Sequence, residues 1–235
     1  MCMYTTMPYH HDFKNDEFAD KYIFKGKKHG YFVEVGALDG ITCSQCYYFE
    51  NELGWDGIAV EPQRRYRDMV KQSRRRPCFL CLGDKAGTVN FTEAACAGLS
   101  GVTDVLKDHE KIESHKVEWR DAGMQNYEVS MITLLDMLAA YNAPQEIDYL
   151  GMDCEGSEFN ILTHFFNNNN GKYNVKFICL EVGRMDLVDL VCANGYVEVR
   201  NPILPDWNGK KVTWERYFVH VSCIDTIDQS LIIAK

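Results

Sequence analysis

Gly30-Tyr-Phe-Val-Glu-Val-Gly-Ala-Leu-Asp-Gly40 decides how the rest of the chain is read. Tyr31 to Val35 is a short apolar, β-branched run that ends at a glycine, the pattern of a strand stopping at a turn. Glu34 sits inside that run, where an unpaired charge would be costly. Gly36 and Gly40 allow a ligand close approach to the backbone. The loop is neither G-x-G-x-x-G nor a P-loop: it has no lysine, and Asp39 stands where a phosphate would be repelled.

Working outward, the pattern repeats. Gly57 to Val60 reads as a second strand stopped by Glu61-Pro62, and Pro62 fits the first turn of a helix carrying Arg64 to Ser73. Residues 43–53 read as helical, Cys78 to Leu82 as a third strand, and Thr88 to Phe91 as a short extra one. Residues 93–127 look irregular and charged, after which Ser130 or Thr133 can cap a helix running to Tyr141. Ile147 to Met152 and Val175 to Leu180 are strands four and five, with a helix from Ser157 to Phe166 between them. A helix from Met185 to Asn194 closes at Gly195, and Tyr196–Arg200 and Arg216–Val221 suggest an antiparallel hairpin at the sheet edge. Strands alternating with helices predict a mostly parallel sheet covered on both faces. Residues 1–30 read as an N-terminal arm and residues 31–235 as a single domain, a length that buries a core without metals or disulfides.

In such sheets ligands bind beyond the carboxyl ends of the strands. Those ends carry Glu34 and Asp39, Glu61, Gly83-Asp84, Asp153 with Glu155 and Glu158, and Glu181. An acidic rim suits a ligand with a cationic end and no phosphates, and Glu61 stands where a carboxylate accepts ribose hydroxyls. The formal charge of −9 disfavours nucleic-acid and anionic-membrane partners. No apolar run approaches the roughly 18 residues of a membrane span. Met1 to His11 lacks the basic and apolar regions of an export signal, so a cytoplasmic, reducing compartment is expected. The C-x-x-C pairs Cys43/Cys46 and Cys78/Cys81 are then read as free thiols, not as zinc ligands or disulfides. In the strand 78–82, positions i and i+3 face opposite sides.

The chain resembles the FkbM-type methyltransferases, which use S-adenosylmethionine to methylate oxygen. The matching segments are Gly30–Gly40, Tyr47–Glu50, Leu53–Pro62, Gly98-Leu-Ser-Gly101 and Ile147–Glu158. The resemblance implies a Rossmann-like, seven-stranded, mostly parallel sheet with an antiparallel last strand. It places Glu34, Gly36, Ala37, Asp39 and Gly40 at the methionine end of the cofactor, Glu61 at the ribose, Gly83 and Asp84 beside the adenine, and Ser44 and Ser100 as further polar contacts. Two departures stand out: Gln63 where the family often has Asn, and Glu181-Val-Gly-Arg184 in place of a Glu-His-Asn-like run.

Methyl transfer to a hydroxyl needs alignment and a proton acceptor. Asp153 is the first choice for that acceptor, with Glu155 and Glu181 as neighbours able to share the role and Glu158 as a first-turn helix residue. Asp153 and Glu181 could alternatively hold Mg²⁺, although no metal is predicted. His109 and His115 are expected as exposed loop residues, Arg74 to Arg76 as a solvated helix end, and Trp207 and Trp214 as packing at the sheet edge. The acceptor is expected to be a sugar, glycan or small-molecule hydroxyl. The alternatives are an RNA ribose 2′-hydroxyl methyltransferase and a non-catalytic S-adenosylmethionine-binding module.

Overall fold

The computed structural model describes residues 8–108, 124–182, 184–207, 210–211 and 214–233. Its main sheet is built from β1 (Tyr31–Val35), β2 (Asp56–Val60), β3 (Pro77–Cys78), β8 (Glu146–Met152), β9 (Asn174–Glu181), β10 (Tyr196–Val199) and β13 (Glu215–His220). The order across it is β3-β2-β1-β8-β9-β13-β10. β1 pairs in parallel with β2 and with β8, and β8 with β9. β13 runs antiparallel to both β9 and β10. This is the seven-stranded, mostly parallel sheet with an antiparallel last strand that the resemblance implied.

The expected antiparallel pair at the sheet edge is present: β10 and β13 pair, and β13 lies between β10 and β9, its Glu215 opposite Glu181, so that β10 is the outer strand at that end. The third strand differs from expectation. Cys78 ends β3 in the main sheet, whereas β4 (Cys81–Gly83) leaves it and pairs with β7 (Gln125–Thr133). β7 also pairs with β5 (Gly87–Glu93), which pairs with β6 (Gly101–Val102), giving a second, four-stranded sheet. Cys78 and Cys81 are thus split between two apolar clusters. The 93–127 region, read as irregular, holds β6, a helix α4 (Thr103–Asp108) and the start of β7. His109 and His115 lie outside the described residues. β11 (Asp206–Trp207) and β12 (Lys210–Lys211) form a separate hairpin.

Alternation along β1 sorts its side chains into two cores. Tyr31, Val33 and Val35 face one layer with residues of α5 (Leu134–Ala140), α6 (Glu158–Asn168) and α7 (Met185–Ala193). Phe32 faces the other, with Trp55, Tyr149, Phe177 and Phe49 of α2 (Tyr47–Asn51). The N-terminal helix α1 (Asn15–Phe18), continued as a π-helix over Ala19–Phe24, buries Phe18 and Ala19 in this second core.

Local chemistry sets the helix ends. Thr133 caps α5 by accepting the Asp136 N–H at 3.1 Å. α7 stops at Gly195, whose φ is +87°. α2 is shorter than the predicted 43–53: Cys43 has φ +54°, and the Ser44 hydroxyl accepts the Tyr47 N–H at 2.8 Å, so the helix starts only after that turn. Pro62 lies ahead of the next helix, not in its first turn. A 3₁₀ turn at Arg64–Tyr66 leads into α3 (Arg67–Ser73). No helix among the described residues is long and apolar enough to cross a membrane.

Candidate active site

Three strand ends are stitched together by backbone. Gly36 and Ala37 N–H both donate to the carbonyl of Val60, at 3.0 and 3.1 Å, and the Asp153 N–H donates to Val35 O at 2.9 Å. Glu61 continues the stitching with its side chain. One carboxylate oxygen accepts the Leu38 N–H and the other the Gln63 N–H, each at 2.8 Å. Glu61 is 1% exposed. Burial raises its pKa to about 7 despite the N–H groups that favour the charged form.

Beyond β8 and β9 the three predicted catalytic carboxylates meet. Asp153 follows β8, Glu155 sits in the next turn with φ +55°, and Glu181 ends β9. One carboxylate oxygen from each lies within 4.8 Å of the other two, and among the described residues this is the one such gathering of potential metal ligands. Carboxylates this close are offset by a shared proton or a cation. Glu158, the third acid of the 153–158 stretch, is buried and accepts the Cys154 N–H at 2.7 Å, which fixes the turn that carries Glu155.

Two small clefts flank Gln63 and Ser100, which line both. One, of about 50 Å³, is bounded by Gly36, Leu38, Gln45, His11, Asp153 and Glu155. The other, of about 40 Å³, is bounded by Glu61, Leu82, Phe91, Val102, Cys154 and Ile161. Of the residues expected around a cofactor, Gly36, Glu61 and Ser100 border these clefts.

The other predicted cofactor residues serve the framework of the loop. Glu34, 2% exposed, pairs with the Arg74 guanidinium and accepts the Ser44 hydroxyl at 2.8 Å and the Gln45 N–H at 2.6 Å. Its neighbours explain how a carboxylate survives in an apolar strand, and Ser44 is engaged in the same network. Asp39 accepts Ile41 N–H, Thr42 N–H and the Thr42 hydroxyl. Partial burial works to raise its pKa, but these bonds outweigh it and hold the carboxyl below the usual range. Ala37 is buried, and Gly40 packs on Ser73 and Arg74. Gly83 packs on Met131 and Asp84 is exposed; Cys81 and Leu82 border the cleft in their stead, because β4 turns into the second sheet.

Arg74 corrects a further expectation. The arginine run was read as solvated, yet the Arg74 side chain is fully buried between Glu34 and Glu50. Arg75 donates from its backbone to Glu50, and Arg76 pairs with Asp56. Trp214 packs edge-on against Phe13 of the arm. Gln63, Gln45 and His11 are among the cleft-bordering residues that were not predicted. Gln63 follows the Glu-Pro pair, where its departure from the family was the available signal. Gln45 accepts the Tyr149 hydroxyl at 3.0 Å. His11 comes from the polar arm, where no motif marks it, and burial presses its pKa down to about 4.

A model of the methyltransferase FkbM domain matches residues 34–196. No curated protein matches the sequence. Among solved structures, the chain is similar to the methyltransferase FkbM from Methylobacillus flagellatus KT, with a TM-score of 0.47 and 12% identity over 86% of this chain and 47% of that one. It is also similar to a TehB-like SAM-dependent methyltransferase from Corynebacterium glutamicum ATCC 13032 Kitasato (TM-score 0.43, 10% identity, 89% and 88% covered). A third similar structure is the precorrin-6y C5,15-methyltransferase from Geobacter metallireducens GS-15 (TM-score 0.37, 11% identity, 87% and 84% covered). The chain spans about half the length of the first of these.

Proposed function

Because the chain belongs to the FkbM methyltransferase family, we propose that it is an S-adenosylmethionine-dependent O-methyltransferase acting on a hydroxyl of a sugar, glycan or small molecule. The observation that carries this reading is the meeting of Asp153, Glu155 and Glu181 beside a cleft that also borders Gly36. The donor set fits the cofactor. Glu61 is a buried carboxylate at the end of β2 that accepts the Leu38 and Gln63 N–H groups and the Gln63 side chain, which leaves room among a carboxylate's acceptor sites. A ribose hydroxyl would donate there. The acid cluster would face the cationic amino-acid end. S-adenosylmethionine, when bound, supplies a methyl group on a positive sulfur.

In this reading the chain's own part is alignment and proton handling. Asp153 takes the proton of the acceptor hydroxyl, and Glu155 and Glu181 hold its charge in place by sharing a proton among the three. The clefts, at about 40 and 50 Å³, are well below the roughly 300 Å³ or more of a ligand pocket. An RNA acceptor is disfavoured by the net charge of −9.

The test is calorimetric binding of S-adenosylhomocysteine, followed by transfer of labelled methyl from S-adenosylmethionine to panels of glycosides, small alcohols and capped RNA. Binding with transfer to a hydroxyl of the first two panels is expected. No binding, or transfer to RNA alone, would overturn the proposal.

A further inference from the structure

Arg74 is the most completely enclosed cation among the described residues with an ion pair: its side chain is 0% exposed. It closes α3 and reaches across the molecule between two elements. Its Nε and one guanidinium nitrogen meet the carboxylates of Glu50 on α2 and Glu34 on β1, each 2% exposed. The nitrogen that pairs with Glu34 also lies 3.3 Å from Gly40 O and 3.3 Å from the Ser44 hydroxyl. Its neighbour Ser73 donates to Asp39 O at 3.1 Å. The loop between β1 and α2 therefore rests on the end of α3.

The fit leaves no slack. Gly40 has φ +88°, and a Cβ there would lie 2.2 Å from Ser73 Oγ and 3.0 Å from Arg74 Cγ. Meanwhile Arg74 Nη2 is buried without a hydrogen-bond partner among the described residues. A buried guanidinium with an unmet N–H is a poor way to fill a core, since apolar replacements of buried ion pairs are often as stable or more so. What an apolar side chain lacks is direction: it cannot hold a carbonyl, a hydroxyl and two carboxylates at fixed positions.

We infer that Arg74 is the positioning residue of the cofactor loop, holding Gly40 and Ser44 from beneath so that Gly36 and Leu38 present their backbone to the cleft. Glu34 acts through Arg74 and does not itself meet the ligand. This rests on the reading that the cleft binds S-adenosylmethionine.

The experiment compares the wild type with Arg74→Met, Glu34→Gln and the double variant Arg74→Met/Glu34→Gln. In the double variant Glu50 still accepts the Arg75 N–H. Thermal midpoint, S-adenosylhomocysteine affinity and amide exchange over residues 36–45 are measured on each. Arg74→Met is expected to lower the midpoint and to weaken affinity about tenfold or more. The double variant should recover part of the midpoint, because the Glu34 charge is gone and Glu50, which loses Arg74, keeps the Arg75 Nε at 3.8 Å and the Arg75 N–H, while its affinity stays weak and exchange at Gly40 to Gln45 stays fast. Recovery of both affinity and protection in the double variant would overturn the inference, as would wild-type affinity in Arg74→Met. A wild type that fails to bind S-adenosylhomocysteine sinks the functional reading instead, and the exchange data then still decide whether Arg74 holds the loop. Should Arg74→Met not fold, the double variant carries the comparison.

Discussion

The α-carbon of Gly36 faces the backbone carbonyl of Asp153 so closely that a Cβ on Gly36 would lie 1.9 Å from that oxygen. The first residue past β1 and the first past β8 are thus in backbone contact. The loop proposed to hold the cofactor and the proposed proton acceptor are therefore joined through backbone, and a change in either is felt by the other.

Gly36→Ala is the direct probe of this contact. Gly36 has φ +90°, where an L side chain is strained, and the added methyl would meet backbone that cannot swing aside. A loss of at least ~1–3 kcal/mol in unfolding free energy is expected from backbone strain alone, together with loss of S-adenosylhomocysteine binding. A variant with wild-type denaturation and binding would show that the β1–β8 contact is looser than described.

Asp153→Asn keeps size and hydrogen bonding but removes charge from the three-acid cluster. Turnover should fall ~10²-fold or more through kcat, with cofactor affinity changed much less. Adding Mg²⁺ or EDTA to the wild type separates a proton-accepting role from a metal-holding one: insensitivity to both supports the former. Full activity in Asp153→Asn would move the base to Glu155 or Glu181.

Cofactor binding should depend on pH through Glu61. Its pKa near 7 in the free protein means that the carboxylate is increasingly protonated as pH falls through that value. A ribose that donates to the carboxylate favours the charged form, so affinity should weaken by up to about tenfold per pH unit below 7. Glu61→Gln should bind more weakly and flatten the profile. A wild-type profile that is level from about pH 6 to 8 would refute the ribose assignment.

Stability should carry the opposite signature from Asp16. This buried carboxyl accepts the backbone N–H groups of His10, His11 and Glu17, yet burial dominates and raises its pKa to about 7. A group whose folded pKa lies above its unfolded one contributes stability that is fully present below the unfolded value, near 3.8, and lost as pH rises through about 7. His11, pressed down to about 4, works in the reverse sense between about 4 and 6.5, so the informative window lies above 6.5. Thermal midpoints of the free protein should fall from about pH 6.5 to 8, and Asp16→Asn should lessen that fall. An identical slope in the variant would contradict the assignment.

Much of the architecture was legible because it is written locally. Short apolar runs, stopped by Gly36 after β1 and by Glu61-Pro62 after β2, identified β1, β2, β8 and β9 to within a residue or two, and Thr133, one of two candidate caps with Ser130, announced α5. The acids at the strand ends followed at once, since parallel strands deliver their carboxyl ends to one rim. Asp153, Glu155 and Glu181 could be grouped from sequence because two neighbouring strands carry them there.

What each acid faces was decided only by the tertiary structure. Glu34 and Asp39 look alike in sequence to Glu61, yet one is claimed by an arginine forty residues away and the other by the amides of its own turn. Arg74 reads as a solvated helix end until the loop from β1 folds over it. Asn15 donates to Glu215 across 200 residues, which brings the arm to the rim and His11 to the cleft. Local sequence fixes backbone preference and side-chain periodicity. The partner of a buried charge is set by long-range packing, because desolvation compels each such group to take whichever opposite charge or N–H the fold brings within reach.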